Sequence, residues 1–235
     1  MVAEREGRSL IEQVYLSLRE RIVLGEFDPG ERLHLASLAS QFEVSLGVVR
    51  EAVTRLASEE LVVSNPQHGF RVRPLSIPDL LDLTWNRCEV ETLALRRSIE
   101  NGTLEWESEV VAAHHVLSAT PSAGGDRKTS PDWMRAHSRF HSALTSACGS
   151  PILMRIRQEL FDGSEIYRSW SDPRQGTRRR NVPNEHKGIV DAALARDADT
   201  ATRRLRAHIE ETTKLLIASQ QARMKKGAGA RERAS

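Results

Sequence analysis

The chain has 235 residues, of which 39% are hydrophobic and 28% charged, and its formal net charge is +2. This length allows one large or two modest domains, each with its own core. The sequence contains no run of eighteen apolar residues and no signal-peptide pattern, which argues against a membrane or secreted protein. Cys88 and Cys148 lack the spacing of metal ligands, so we expect two reduced thiols.

The first quarter of the sequence predicts three short helices. Ser9 and Glu12 have the spacing of a capping box, and the helix that they begin ends near Gly25. A second helix is predicted over residues 35–42, and a tight turn leads from it to Ser45, a good N-cap. The third helix, residues 45–58, has an apolar stripe on one face and small or charged residues on the other.

Two β segments follow the third helix, over residues 61–64 and 70–73, with a turn-rich stretch between them. The order helix, turn, helix, hairpin is that of a winged helix-turn-helix. An outward helix N-terminus with an arginine on its first turns suits contact with phosphates and base edges. Taken alone, the same helix could be an ordinary amphipathic surface helix.

The charge of this part of the chain is not that of a typical DNA-binding domain. Residues 1–75 contain nine arginines, no lysine and eleven acidic residues, which gives a formal charge of −2. Any affinity for DNA must therefore come from arginines placed on one face and from a second copy of the domain.

Residues 10–73 resemble the DNA-binding domain of the GntR family of bacterial transcription regulators. The matching segments are PGERL (29–33), LASLASQFEVS (35–45), VREAVTRLASEELV (49–62) and HGF (68–70). The resemblance implies that helix 45–58 enters the major groove and that the wing tip touches the minor groove. The candidates for DNA contact are Ser45, Leu46, Gly47 and Arg50 on this helix, together with Arg32, His68 and Gly69 for contact with the DNA backbone.

Arg50 is the strongest of these candidates, because it occupies a DNA-contacting position of the family. The alternative for Arg50 is a surface ion pair with Glu43 or Glu51. Many family members carry an arginine and a hydroxyl residue where this chain has Leu46 and Gly47. Leucine can contact a thymine methyl group but cannot hydrogen-bond a base, and glycine allows close approach of the backbone.

After a short linker over residues 74–78, the periodicity predicts helices throughout. Six of them form an all-α bundle within residues 76–223, with a flexible loop over residues 120–131. The charged residues 1–8 and the basic tail 224–235 are predicted to be disordered. Three arginines at 178–180 form either a solvated charge run or a phosphate contact. The predicted fold class is mainly α, a winged helix-turn-helix of three helices and a β-hairpin followed by a six-helix bundle.

Four histidines of the bundle fall on three of its helices. His137 and His141 are four residues apart, so both project from one face of one helix. His186 opens the fifth helix of the bundle, and His208 lies in the middle of the sixth. Such a distribution is weak evidence for a site without a fold that brings the rings together.

Residues 77–222 resemble the FCD domain, the C-terminal ligand-binding domain of the FadR branch of GntR regulators. The matching segments are WNRCEVETLAL (85–95), RFHSALTSACGSPIL (139–153), EHKGIVDAALARDADTA (185–201) and AHIEET (207–212). In that family an aspartate and three histidines hold a divalent metal ion in the bundle. The resemblance assigns the histidines to His141, His186 and His208, and it places His137 where the aspartate would be.

A neutral imidazole in place of a carboxylate favours zinc or nickel over manganese or magnesium. Alternatively, His137 points away and leaves three ligands with an open position, or the pocket is polar and binds no metal. Arg87 matches a family arginine that lines the pocket, and it could bind an acidic effector through two hydrogen bonds. An internal ion pair with Glu91, four residues on, is the other possibility.

These features predict a transcriptional repressor that binds a pseudo-palindromic operator in double-stranded DNA as a homodimer, under control of an organic-acid effector. The expected location is the bacterial cytoplasm, in association with the nucleoid, with no membrane contact. A metal-dependent hydrolase is disfavoured because Ser138 stands where the zinc-protease helix carries its glutamate base. The acidic balance of residues 1–75 is the only support for a protein-binding winged helix.

Overall fold

The computed structural model describes residues 9–122, 129–169 and 180–232, with side chains as far as residue 221. The chain divides into two compact units, residues 1–76 and residues 77–235. The expectations for residues 1–8, for the centre of the loop at 123–128 and for the first two arginines of 178–180 fall outside the described residues. No helix within the described residues is long and apolar enough to cross a membrane.

The described residues of the first unit form three helices and a small sheet. The helices are α1 (Leu10–Val23), α2 (Leu35–Phe42) and α3 (Leu46–Ser58), and the strands are β1 (Arg32–Leu33), β2 (Val62–Asn65) and β3 (Gly69–Val72). Fully buried aliphatic side chains from α1 and α3 form the core: Leu18, Ile22, Val49, Val53 and Leu56. Burial of one helix stripe against another supplies most of the stability of such short helices.

Side-chain caps begin two of these helices as the sequence predicts. Ser9 Oγ accepts a hydrogen bond from Glu12 N at 3.2 Å, and Ser45 Oγ accepts one from Val48 N at 3.4 Å. The Glu12 carboxylate pairs with Arg55 of α3, so it ties α1 to α3. In the turn between α2 and α3, Glu43 adopts the left-handed conformation with φ 55°.

The sheet has one more strand than the predicted hairpin. Strand β1 pairs with β3, opposing Arg32 to Arg71 and Leu33 to Phe70, and the antiparallel order is β1-β3-β2. The prediction missed β1 because two residues are too few for an alternating pattern to show. Its consequence is local, since β1 brings the side chain of Arg32 to the wing.

In the second unit, the described residues form a bundle of six helices. Its helices are α4 (Ile77–Asn101), α5 (Leu104–Ala119), α6 (Pro131–Thr145), α7 (Pro151–Ser169), α8 (Val182–Leu194) and α9 (Ala198–Glu232). Helix α4 packs against α9, α7 and α6, while α8 packs against α9 and α5. This confirms the predicted fold class, a mainly α chain with a winged helix-turn-helix followed by a six-helix bundle.

The last helix is longer than predicted. Helix α9 continues to Glu232, whereas the sequence analysis predicts a disordered tail over residues 224–235. That tail is rich in alanine, lysine and arginine, which favour helix, and it contains no proline to end one. Its two glycines weaken a helix without breaking it, so composition alone was a poor guide here.

Candidate metal centre and nucleic-acid interface

Helix α3 presents one open face. The apolar face of α3 is buried, while Ser45, Leu46, Gly47 and Arg50 are all exposed. Among the described residues, Arg50 makes no ion pair with Glu43 or Glu51. A cation near the N-terminus of an exposed helix is available to a phosphate or to the O6 and N7 of guanine.

The wing carries the other candidates for DNA contact. His68 is exposed in the turn between β2 and β3, and Gly69 is exposed at the start of β3 with φ +77°. A Cβ atom on Gly69 would lie 3.9 Å from Nη2 of Arg32, so the exposed arginine lies beside the wing tip. Arg32, His68 and Gly69 therefore form one surface, and the β1–β3 pairing that makes it was not visible in the sequence.

Four histidines of the bundle meet in its interior. One nitrogen from each of His137, His141, His186 and His208 lies within 4.8 Å of one from every other. The rings come from α6, α8 and α9, and each side chain is no more than 3% exposed. The centroids of His137 and His141 are 4.5 Å apart, and those of His186 and His208 are 4.7 Å apart.

The hydrogen bonding of these rings shows whether a metal ion fits among them. Both ring nitrogens of His137 and His141, and the Nε2 atoms of His186 and His208, are buried without a hydrogen-bond partner. Buried nitrogens without partners are rare, and they cost free energy unless something binds them. Neutral imidazoles are good ligands for zinc and nickel, so the donor set suits such an ion.

Helices α4 and α7 contribute buried arginines and glutamates that surround the histidines. Arg87 Nε donates to Glu91 Oε1 at 2.7 Å, and its Nη1 donates to Ser164 Oγ at 2.7 Å. Arg157 Nη2 lies 3.9 Å from Glu91 Oε2. Burial alone would raise the pKa of the Glu91 carboxyl, but Arg87 and Arg157 outweigh it and hold that pKa below its ordinary value. Glu91 is thus an anion in the core.

A second pair of a glutamate and an arginine lies beside His208. Glu185 Oε2 is 2.9 Å from His208 Nδ1, and Arg180 Nε donates to Glu185 Oε1 at 2.7 Å. Arg180 Nη1 also donates to Thr212 Oγ1 at 2.8 Å. Arg180 is therefore part of the wall of the site and not of a solvated charge run.

Sequence reasoning missed most of this wall. It named Glu91 only as an alternative partner of Arg87, and it did not single out Arg157, Glu165 or Glu185. One feature of the sequence could have indicated these residues. Arg157, Phe161 and Glu165 are spaced four residues apart, so the two charged side chains lie on the same helix face as an apolar phenylalanine. Arg157 and Glu165 are 0% and 1% exposed.

Burial lowers the pKa of all four imidazoles. It holds the pKa of His137 and of His186 well below the ordinary value. The same desolvation lowers the pKa of His141 to about 3 and that of His208 to about 4, although each ring faces a glutamate that opposes the shift. The rings are therefore neutral at pH 7, as ligation requires.

The metal-free protein is expected to lose stability as pH falls below about 6.5, the ordinary pKa of histidine. Below it the unfolded chain binds protons that the buried rings reject, so each ring removes about 1.4 kcal/mol per pH unit. Denaturant unfolding of chelator-treated protein at about pH 7.5 and about pH 5.5 measures the slope. The variant His141→Ala/His208→Ala should show a shallower one, and equal slopes would mean that these two rings are protonated inside the fold.

Comparison with known proteins places both units in known families. The family described as "Bacterial regulatory proteins, gntR family" matches residues 10–72, and the FCD domain matches residues 81–211. The HTH-type transcriptional regulator BphR of Paraburkholderia xenovorans is 41% identical over 212 residues, 87% of this chain and 84% of that protein. The HTH-type transcriptional repressor GlaR of Escherichia coli is 33% identical over 205 residues, 83% of this chain and 90% of that protein.

A solved structure shows the same fold. That of E. coli McbR/YncC superposes with a TM-score of 0.76 at 22% identity, covering 92% of this chain and 99% of that one. A winged helix-turn-helix followed by a histidine-bearing helical bundle defines a transcriptional regulator with an effector-binding domain. The chain belongs to the GntR family, in the group that carries an FCD domain. These families and relatives are regulators and not enzymes, so the hydrolase alternative is set aside.

Proposed function

We propose that this regulator is a metal-containing repressor that binds a pseudo-palindromic operator as a homodimer, and that an organic-acid effector controls its affinity for DNA. The observation that carries the proposal is the convergence of four buried imidazoles, with nitrogens that lack partners, in an FCD domain. Repression is inferred from the relative GlaR, which is named a repressor. The proposed site of action is the nucleoid in the bacterial cytoplasm.

Zinc or nickel is the proposed ion, with His137, His141, His186 and His208 as its ligands. A bound ion would supply a Lewis-acidic position to which an effector carboxylate could attach. The residues around it are suited to an acidic effector, because Arg87 and Arg157 bring two guanidinium groups to the same carboxylate, Glu91.

Arg87 is the proposed effector-binding residue. In the structure its guanidinium is engaged by Glu91 and Ser164, which is the ion pair that the sequence offered as the alternative. An effector carboxylate would compete with Glu91 for this group, and such a competition gives the effector a different affinity for two arrangements of the bundle. A difference of this kind is all that an effector needs to shift DNA affinity.

Exposed apolar side chains support the homodimer. Leu81, Trp85 and Leu93 are 52%, 63% and 51% exposed. Their spacing in multiples of four residues places them along one side of α4. Ile152 is 65% exposed on α7, which packs against α4. Large apolar groups of this kind commonly mark protein interfaces, and a second copy would help to compensate for the net negative charge of one DNA-binding domain.

The same face of α3 and the same wing surface are the proposed DNA contacts. Arg50 would read a base or bind a phosphate, with Ser45, Leu46 and Gly47 close to the groove floor. Arg32, His68 and Gly69 would contact the backbone at the wing. Phosphate contacts set the position of such a domain, and the few base contacts set its specificity.

A gel-shift assay on the DNA upstream of its own gene tests the proposal. The protein should bind a duplex with two half-sites much more tightly than one with a single half-site, and binding should weaken as salt rises. Organic acids should release the duplex only from metal-loaded protein. Binding that ignores sequence would contradict the regulator, and release that survives chelation would contradict the metal.

A further inference from the structure

We propose that Glu165 orients the ring of His137 so that it binds the metal through Nε2, which makes the site a four-imidazole centre without a coordinating carboxylate. The inference rests on the metal centre proposed above. In this chain the ring of His137 would take the ligand position of the family's aspartate, and Glu165 would supply a carboxylate behind that ring.

The first support is the pairing of two buried atoms that have no other partner. His137 Nδ1 lies 3.6 Å from Glu165 Oε2, and both atoms are buried without a hydrogen bond. The distance is slightly too long for a hydrogen bond, so a small rotation of the ring would satisfy both atoms. When Nδ1 donates to the carboxylate, Nε2 is the nitrogen left for a metal.

The second support is the rigidity of the surroundings of Glu165 and His137. Arg168 Nε donates to Glu165 Oε1 at 2.7 Å, which leaves Oε2 for His137. Trp133 stacks on the ring of His137 with centroids 4.7 Å apart and planes 14° apart. Arg168 also lies 5.8 Å above the ring of Trp133. Arginine, glutamate, tryptophan and histidine thus hold one another in place, and His137 is not a ring that points away.

The third support is that the same arrangement recurs around the cluster. His208 Nδ1 is 2.9 Å from Glu185 Oε2, and His141 Nδ1 is 3.8 Å from Glu91 Oε2. Three of the four histidines therefore face a glutamate with Nδ1. The Nε2 atoms of all four have no hydrogen-bond partner. A single rule, Nδ1 to a carboxylate and Nε2 to the metal, accounts for these positions.

The consequence concerns charge. Four neutral imidazoles bring no negative charge to the ion. The carboxylates lie behind the imidazoles, and each of them pairs with an arginine: Glu91 with Arg87, Glu165 with Arg168, and Glu185 with Arg180. Such a donor set selects borderline ions such as cobalt, nickel and zinc against manganese and magnesium.

Cobalt(II) is the probe, because its visible absorption reports the number and kind of its ligands. Metal-free wild type, Glu165→Gln and the control Glu89→Gln are titrated with cobalt(II) and the spectra recorded. Glu89 is exposed and pairs with Arg206, so its variant makes a similar change of charge away from the cluster. We expect Glu165→Gln to bind about 10- to 100-fold more weakly with a displaced absorption band, and Glu89→Gln to match wild type.

His137→Asp completes the test. It should alter the cobalt spectrum and raise the affinity for manganese relative to zinc, because it restores a coordinating carboxylate. Wild-type affinity and spectrum in Glu165→Gln would overturn the role of Glu165, and an unchanged spectrum in His137→Asp would overturn ligation by His137. In both cases the metal centre itself would stand. A wild-type protein that binds neither cobalt nor zinc would instead overturn the metal centre, whatever its DNA binding.

Discussion

Replacement of Arg50 by alanine is expected to weaken specific operator binding by about tenfold to a hundredfold, since a good arginine–guanine contact contributes about 1–3 kcal/mol. The side chain is exposed on α3, and no ion pair with Glu43 or Glu51 holds it among the described residues. The fold should survive, because the buried stripe of α3 lies on the opposite side. Gel shifts with operator and scrambled duplexes measure the two affinities.

The matched control for Arg50 is Arg203→Ala, which removes an exposed arginine from α9. It should leave both affinities unchanged. If Arg50→Ala weakens binding to operator and scrambled DNA equally, Arg50 contacts phosphate and does not read a base. Unchanged binding to the operator would mean that another face of the first unit meets DNA.

Removal of two imidazoles is expected to abolish metal binding. In His141→Ala/His208→Ala the cluster loses half of its nitrogens, from α6 and from α9, so metal that co-purifies with wild type should fall to background. Elemental analysis measures the content. A ligand present at about a thousand times its Kd contributes about 4 kcal/mol of stability, so chelation should lower the melting temperature of wild type but not that of the variant.

The control uses histidines outside the cluster. His34→Ala/His115→Ala removes two exposed imidazoles and should keep the wild-type metal content. Because an alanine in the core also leaves a cavity, the circular dichroism of each variant is compared with that of metal-free wild type. An unchanged metal content in a folded His141→Ala/His208→Ala protein would show that the ion binds elsewhere.

The helices of this chain could be predicted because each buries a stripe that repeats every three to four residues, and caps such as Ser9 and Ser45 mark where they begin. Strand β1 could not, since Arg32 and Leu33 gain their structure only by pairing with β3. The length of α9 was underestimated because a charged, alanine-rich segment is typical of both a disordered tail and a helix.

The site was predictable only in part. The spacing of His137 and His141 shows that they share a helix face, but it says nothing of His186 and His208, which fold from distant parts of the chain. The resemblance to the FCD domain supplied that link. The surrounding charges escaped detection because patterns assign charged residues to the surface, whereas in the core Arg157 faces Glu91 and Glu165 pairs with Arg168.

The polar interior of the bundle also bears on how such a protein can evolve. Leucine, methionine or phenylalanine at the four histidine positions would fill the same space without stranding nitrogens away from water, and buried polar groups replaced in this way often leave a protein more stable. Selection for stability alone would therefore replace these histidines with apolar residues. The expected product of such selection is a bundle that melts at a higher temperature but no longer responds to its effector.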